Sequence, residues 1–276
     1  MPRFKAACVQ LNSGNDFAAN LRAAGDGVRE AVARGAALVT LPEYATFLDG
    51  SGRAMRENAH PEESHPALPF FAALARETNA WLLIGSLTVK LEAEHMANRS
   101  YLISADGNVV ARYDKVHMFD ATLPSGQVIR ESSAYRPGER AVVAQTPLGV
   151  IGMTVCYDLR FPHLYRALAK AGAVMLTIPS SFQRETGKDH WHTLIRARAI
   201  ENTCFVLAPA MCGDHPGKRT TYGHSLIVDP WGRILMDLGE EPAVGVAEID
   251  LDEVKRVRAL LPSLEHDRAF ESGLSC

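Results

Sequence analysis

Residues 149–172 read GVIGMTVCYDLRFPHLYRALAKAG, and this stretch decides the fold class. The apolar run 149–155 is typical of a buried strand, and residues 157–160 form a polar turn. From Pro162 onward apolar residues recur at a spacing near 3.6, and proline is favoured in the first turn of a helix. A strand, a sharp turn and a helix in succession are typical of α/β proteins.

The same alternation extends along the chain in both directions. Hairpin signals at Asp106-Gly107 and at Asp229-Pro230 with Gly232 indicate that antiparallel strands mix with parallel ones. No repeat of fixed period, low-complexity tract or long linker divides the sequence, so we predict an α/β fold in a single domain over residues 1–276. The predicted strands cover 5–11, 37–42, 81–89, 99–105, 108–114, 149–155, 173–180, 204–210, 224–229 and 244–251, and the predicted helices cover 17–35, 67–79, 164–172, 191–202 and 251–261.

The composition excludes several classes of partner. Lys and Arg number 29 against 32 Asp and Glu, so the chain lacks the basic excess that drives binding to nucleic acid. Polar residues interrupt the N-terminal apolar stretch MPRFKAACVQ, and no apolar run is long enough to cross a bilayer. We therefore expect a cytoplasmic protein without a nucleic-acid or membrane partner. The five cysteines are scattered and form no CxxC pair, which predicts reduced thiols.

Cys156 closes the strand at residues 149–155 and precedes the turn that begins at Tyr157. This layout resembles a nucleophile elbow, in which the thiol stands at the carboxyl edge of a sheet. A helix N-terminus favours the thiolate, and backbone N–H groups such as that of Tyr157 can face a developing oxyanion. The alternative is an inert core cysteine, which the adjacent charged residues Asp158 and Arg160 make less favourable.

Glu43 follows another apolar run, ALVTLPEY at residues 37–44. A carboxylate at the end of such a strand is partly desolvated, which raises its pKa toward the range useful for a general base. The alternative is a helix N-cap or a surface turn acid.

Lys115 lies in NVVARYDKVHMFD, residues 108–120, directly after the second strand of a predicted hairpin. A lysine faces water by default. A catalytic role requires its ammonium to point at a site where a negative oxygen develops. The sequence leaves that direction open.

The histidines suggest zinc only weakly. His190, His192, His215 and His224 lack HExxH spacing and have no nearby cysteine pair. We expect neither a metal nor an organic cofactor.

In this order, LPEY at 41–44, YDKVH at 113–117 and VCYDLRFP at 155–162 resemble the Glu-Lys-Cys triad of the nitrilase-related carbon-nitrogen hydrolases. The resemblance covers nearly the whole chain, from CVQLNSG at 8–14 to LPSLEHDR at 261–268. It is closest to the Nit subgroup, which includes deaminated glutathione amidases and omega-amidases. Members of the family share a four-layer αββα sandwich, so the resemblance implies this fold and a homodimer or higher homo-oligomer.

The resemblance also implies further site residues. A second family glutamate maps onto Glu131, with Glu139 as the alternative because the intervening loop departs from the family pattern. Arg160 matches an arginine that binds a substrate carboxylate, and Thr186 matches a substrate-contacting threonine. Arg160 has a structural alternative, an ion pair with Asp158.

The expected activity is cysteine-dependent hydrolysis of a small carboxylate-bearing amide to an acid and ammonia through a thioester. Deaminated glutathione amidase activity is the first expectation, and omega-amidase activity on α-ketoglutaramate or hydrolysis of an N-carbamoyl amino acid are alternatives. The alternative from another class is a catalytically silent binding or scaffold protein of the same fold.

Overall fold

The computed structural model describes residues 3–92 and 95–270 of the chain. Its strands are β1 (Arg3–Gln10), β2 (Ala36–Thr40), β3 (Trp81–Lys90), β4 (Met96–Ile103), β5 (Val109–Asp114), β6 (Asp120–Thr122), β7 (Val128–Arg130), β8 (Val142–Thr146), β9 (Gly149–Met153), β10 (Met175–Thr177), β11 (Phe205–Ala208), β12 (Cys212–His215), β13 (Arg219–Tyr222), β14 (Leu226–Val228), β15 (Ile234–Asp237) and β16 (Ala243–Asp250). Its α-helices are α1 (Phe17–Ala33), α2 (Gly52–Glu57), α3 (Ala67–Thr78), α4 (Pro162–Lys170), α5 (Arg184–Asn202) and α6 (Leu251–Leu260).

Two six-stranded mixed sheets form the centre of the molecule. The first has the order β16-β1-β2-β3-β4-β5 and the second the order β15-β14-β11-β10-β9-β8. Parallel pairs occupy the interior of each sheet, β1-β2-β3 in the first and β9-β10-β11 in the second, while the outer pairs are antiparallel. Two further strand pairs, β6-β7 and β12-β13, stand apart from these sheets.

The alternation of side chains along β1 explains the layering. Cys8 belongs to the core cluster shared with the second sheet, whereas Val9 belongs to the cluster under α1 and α3. Successive side chains of a strand point to opposite faces, so one face of the first sheet packs on the second sheet and the other on helices. Helices α4 and α5 contact β9 and β11 of the second sheet. The four-layer αββα sandwich is therefore confirmed.

The ten predicted strands and five predicted helices are present, with shifted ends. Helix α5 begins at Arg184 rather than at residue 191. The prediction began too late because the first two turns are polar and show no apolar periodicity. Both predicted hairpins form, β4-β5 around Gly107 and β14-β15 around Gly232, and each glycine has positive φ. Among the described residues, no helix has the length and apolar character needed to cross a membrane. Cys8, Cys156, Cys204 and Cys212 are buried and free, while Cys276 lies outside the described residues.

Gly85 in β3 packs directly against the loop that follows β2. The backbone of Leu41 and Pro42 lies so close that a Cβ at this position would overlap it. The pairing of β3 with β4 is also irregular here, between Ile84 and Leu87.

We predict that Gly85→Ala lowers the free energy of unfolding by about 1–3 kcal/mol, because backbone atoms must move to admit the methyl group. Urea denaturation measures the change. Gly52→Ala is the matched control, since nothing lies within 4 Å of a Cβ there and the free energy should stay near wild type. An unchanged unfolding midpoint in Gly85→Ala would contradict the close approach.

Candidate active site

Three loops carry Glu43, Lys115 and Cys156 to one cavity of about 360 Å³. Glu43 lies shortly after β2, Lys115 directly after β5 and Cys156 shortly after β9, so the site joins the ends of strands from both large sheets. The structure brings together every residue predicted for the site, and the cavity is lined by Glu43, Lys115, Glu131, Cys156, Tyr157, Arg160 and Thr186.

Lys115 is buried, with 2% of the residue exposed. Its ammonium donates to Glu43 Oε1 at 3.2 Å and to the two oxygens of Glu131 at 2.9 and 2.7 Å. Burial alone would lower the pKa of Lys115, but the charges of Glu131 and Glu43 outweigh it and raise that pKa. The default expectation of a solvent-facing lysine does not apply, and Lys115 is a fixed cation in the cavity wall.

The Glu43 carboxylate is buried and held on several sides. Besides Lys115, it accepts hydrogen bonds from the Asn98 amide at 2.8 Å and from the backbone N–H of Ser181 at 2.8 Å. Burial raises the pKa of Glu43, but the cations Lys115 and Arg219 more than offset this and hold the pKa below its ordinary value. The sequence-based prediction of a raised pKa is wrong, because the desolvated carboxylate lies beside two positive charges.

Cys156 has a left-handed backbone conformation, with φ at 49°, and begins the short 3₁₀ helix Cys156–Arg160. Its N–H donates to the carbonyl of Pro179 at 2.9 Å. The elbow predicted from the sequence is therefore present, although β9 ends at Met153. Non-glycine residues adopt positive φ rarely, and such strained positions concentrate at functional sites.

The surroundings of Cys156 favour its neutral thiol over the thiolate. Burial and the neighbouring Glu43 carboxylate raise the pKa of Cys156 far above neutrality, and Lys115 offsets only part of this. The expectation that a helix N-terminus favours the thiolate of Cys156 does not hold, because burial and Glu43 raise the pKa. An attack by this sulfur requires a base that takes its proton during the reaction.

Glu131, not Glu139, is the second glutamate of the cluster. Besides Lys115, its carboxylate accepts the backbone N–H of Phe119 at 2.6 Å and the hydroxyl of Tyr44 at 3.2 Å. Glu139 is exposed. The sequence left Glu131 and Glu139 as alternatives, and the contact with Lys115 identifies Glu131.

The Arg160 guanidinium lies over the rings of Tyr157 and Phe182, at 5.8 and 5.2 Å from their centroids. The Asp158 carboxylate instead accepts hydrogen bonds from the Tyr113 hydroxyl at 2.7 Å and from the backbone N–H of Val155 at 2.9 Å. No ion pair joins Arg160 to Asp158 within the described parts of the chain. The structural alternative for Arg160 is therefore wrong, and Arg160 lines the cavity with both Nη atoms 3.3 Å from His190 Nδ1.

Three further residues at the site were not identified from the sequence: Asn98, Ser181 and Arg219. Ser181 directly follows the predicted strand 173–180. The reasoning that placed Cys156 at the end of a strand could therefore have predicted Ser181 at the site as well. Asn98 lies inside β4, and Arg219 lies in the hairpin β12-β13, where no local pattern marks either residue.

Of the histidines considered as zinc ligands, His192 and His224 form a cluster with Asp237. His192 Nε2 lies 3.0 Å from Asp237 Oδ2, and His224 Nδ1 lies 2.9 Å from Asp237 Oδ1. These hydrogen bonds satisfy the groups among themselves, and the cluster lies outside the cavity lining.

Comparison with known proteins assigns the family. The sequence profile described as "Carbon-nitrogen hydrolase" matches residues 5–259. The chain therefore belongs to the carbon-nitrogen hydrolase family and is an amide-hydrolysing enzyme. It is 40% identical over 270 residues to deaminated glutathione amidase of Synechocystis sp. (strain PCC 6803 / GT-S), covering 96% of this chain and 98% of the relative. It is 40% identical over 269 residues to deaminated glutathione amidase of Homo sapiens, covering 95% and 81%.

Solved structures agree with this assignment. Nit3 of Saccharomyces cerevisiae, described as a member of branch 10 of the nitrilase superfamily, has a TM-score of 0.86 at 30% identity, with 94% of each chain covered. The NitFhit protein of C. elegans has a TM-score of 0.90 at 37% identity, and the alignment covers 96% of this chain but 65% of that longer chain.

We predict that Lys115→Met costs about 3–5 kcal/mol of unfolding free energy at neutral pH, since it leaves buried carboxylates without their cation. Without Lys115 the folded-state pKa of Glu43 rises above its ordinary value of 4.5, so the variant loses stability as the pH increases through that range. The deficit relative to wild type should therefore be smaller at about pH 5 than at about pH 8.

Urea denaturation at the two pH values measures this difference. Lys188→Met, a change of an exposed lysine on α5, is the control and should stay within about 0.5 kcal/mol of wild type. An equal deficit at both pH values would mean that lost packing, rather than charge, causes the destabilisation.

Proposed function

We propose that this enzyme hydrolyses deaminated glutathione or a similar carboxylate-bearing amide, with Cys156 as nucleophile, Glu43 as general base and acid, and Lys115 as a fixed cation. The observation that carries the proposal is a single cavity lined by the Cys156 thiol, the Glu43 carboxylate and the Lys115 ammonium, with Lys115 hydrogen-bonded to Glu43 at 3.2 Å. A buried thiol and a carboxylate base form the nucleophile–base pair that acyl transfer requires. The relatives named deaminated glutathione amidase support the choice of substrate.

In the first half-reaction the Cys156 sulfur forms a bond to the amide carbon while its proton passes to Glu43. The tetrahedral oxyanion lies between the Lys115 ammonium and a backbone N–H near Tyr157, where positive charge meets the developing negative charge. The carbon–nitrogen bond then breaks, and Glu43 gives its proton to the leaving nitrogen. A thioester on Cys156 remains.

In the second half-reaction water attacks the thioester carbon and gives a proton to Glu43. The carbon–sulfur bond breaks, the carboxylic acid leaves, and the sulfur recovers the proton from Glu43. One carboxylate thus serves as base and acid in both steps. Neither step calls for a metal or an organic cofactor.

The other site residues hold these groups or the substrate. Glu131 orients Lys115 through its two hydrogen bonds to the ammonium. Arg160 binds a substrate carboxylate, because its guanidinium reaches the cavity from the turn that carries Cys156. Tyr157 and Thr186 contact the substrate from the cavity wall.

Deaminated glutathione suits a cavity that is lined by the positively charged side chain of Arg160. Glutathione contains two secondary amides and two carboxylates, and deamination retains all of them. Hydrolysis of either secondary amide releases an amine rather than the ammonia expected from the sequence, which only a primary amide such as α-ketoglutaramate would release.

We also propose a single domain over residues 1–276 in a cytoplasmic protein that forms a homodimer or higher homo-oligomer. The shared core of the two sheets and the family match over residues 5–259 support one domain. Exposed apolar side chains lie on α5 and near the β14-β15 hairpin, where Gly232 packs against Ile200. Ile200, Trp231, Ile234 and Leu235 are each at least 42% exposed, which favours contact with a second copy.

We predict that Cys156→Ala abolishes hydrolysis of deaminated glutathione and that Glu43→Gln lowers kcat/KM by about 10²- to 10⁴-fold, because proton transfer loses its base. Cys204→Ala, which removes another buried thiol outside the cavity, should retain activity. Intact-mass spectra of wild type mixed with substrate should show the acyl group on Cys156.

Hydrolysis by Cys156→Ala would refute the mechanism. A substrate panel of deaminated glutathione, α-ketoglutaramate, an N-carbamoyl amino acid and a simple nitrile separates the alternatives by their kcat/KM values. No turnover and no adduct with any of them would favour a silent binding protein.

We predict that the protein elutes with at least twice the mass of one chain in size-exclusion chromatography with light scattering. Leu235→Asp should shift it toward the monomer by placing a charge in an apolar contact. Val110→Asp, a similarly exposed position on the edge strand β5, should leave the assembly unchanged. A monomeric wild type would contradict the proposed assembly.

A further inference from the structure

We propose that Arg219 forms a second carboxylate-binding subsite, on the leaving-group side of the scissile amide. The preferred substrates are then amides with a carboxylate on the leaving amine as well as on the acyl part. This inference rests on the proposed function of Glu43 and Cys156.

Arg219 begins β13 and reaches the cavity beside Glu43. Its Nη2 donates to the carbonyl of Ser181 at 2.9 Å, and its guanidinium lies 5.9 Å from the centroid of the Tyr44 ring. Both contacts adjoin Glu43, since Tyr44 follows it in sequence and the Ser181 N–H donates to its carboxylate. Arg219 therefore contacts two residues, Tyr44 and Ser181, that are direct neighbours of Glu43.

The binding capacity of Arg219 is largely unused. Its Nε is buried and has no hydrogen-bond partner among the described residues, and no ion pair is formed by its guanidinium within that part of the chain. The hydroxyl of Ser181, which also lines the cavity, is likewise buried and unpartnered there. Buried donors without partners are rare in folded proteins, and a carboxylate bound against the guanidinium would supply the ion-pair partner that Arg219 lacks among the described residues.

The position beside Glu43 determines which part of the substrate meets Arg219. Glu43 gives its proton to the leaving nitrogen, so the leaving group must pass along this wall of the cavity. Arg160 lies in the turn after Cys156 against Tyr157 and Phe182, whereas Arg219 lies against Tyr44 and the Ser181 carbonyl. One arginine then binds the acyl carboxylate and the other the carboxylate of the leaving amine.

The test compares substrates that differ only in the leaving group. Deaminated glutathione carries the second carboxylate, an analogue with ethylamine in place of glycine lacks it, and α-ketoglutaramate releases ammonia. Wild type should have a kcat/KM about 10- to 100-fold higher for deaminated glutathione than for the ethylamide analogue, as expected for a charged hydrogen bond. This comparison needs no protein variant.

Arg219→Gln should lower kcat/KM for deaminated glutathione by about 10- to 100-fold more than for the ethylamide analogue and α-ketoglutaramate, because any loss that comes through Glu43 is shared by all three substrates. Arg219→Lys, which keeps the charge, should retain part of the preference. Arg130→Gln is the matched control, because Arg130 lines the same cavity but its Nη1 donates to the carbonyl of Ile129. This control should not change the ratio between the substrates.

Arg219 also lowers the pKa of Glu43, which gives a different pattern if that is its only role. Arg219→Gln would then lower kcat/KM equally for all three substrates and move the acid limb of the pH profile upward. An equal loss for all three substrates in Arg219→Gln would overturn the proposed subsite but leave the amidase mechanism in place. Equal wild-type kcat/KM values for deaminated glutathione and its ethylamide analogue would do the same. Failure of wild type to hydrolyse any of the three would overturn the proposed function and this inference together.

Discussion

The buried ammonium of Lys115 is the interaction on which the site depends. It bridges Glu43, from the loop after β2, and Glu131, from the 3₁₀ turn after β7, and so joins two distant parts of the chain. Without this cation, two carboxylates would be buried next to each other, at a cost that few interactions in a folded protein can offset. The same bond orients the carboxylate that faces the nucleophile, so stability and catalytic geometry share one contact.

The surroundings of Cys156 disfavour its thiolate. Burial makes a negative charge on the sulfur costly, and the Glu43 carboxylate adds a repulsion that Lys115 offsets only in part. In the proposed mechanism the proton moves to Glu43 as the sulfur attacks, so the total charge of the site stays constant during the first step. A low thiol pKa is therefore unnecessary for this mechanism.

Sequence patterns predicted the α/β class and the residues at strand ends, because each depends on local order along the chain, whereas the four-layer arrangement was implied by the family resemblance. The turn at Cys156 and the strand before Glu43 are examples, since apolar runs and turn residues specify them directly. The ionisation of both groups was predicted incorrectly, because it depends on neighbours from remote segments. Arg219 is such a neighbour, and it reaches Glu43 across a sequence separation that no local pattern encodes.

The two arginines differ in how they are attached to the fold. Arg160 belongs to the same short helix as Cys156, so its position is fixed by the elbow that fixes the nucleophile. Arg219 lies in the β12-β13 hairpin, which belongs to neither large sheet. Substitutions in that hairpin can therefore change recognition of the leaving group while the backbone around Cys156 stays in place. Under the proposed roles, recognition of the acyl group is coupled to the nucleophile, and recognition of the leaving group is free to vary within the same fold.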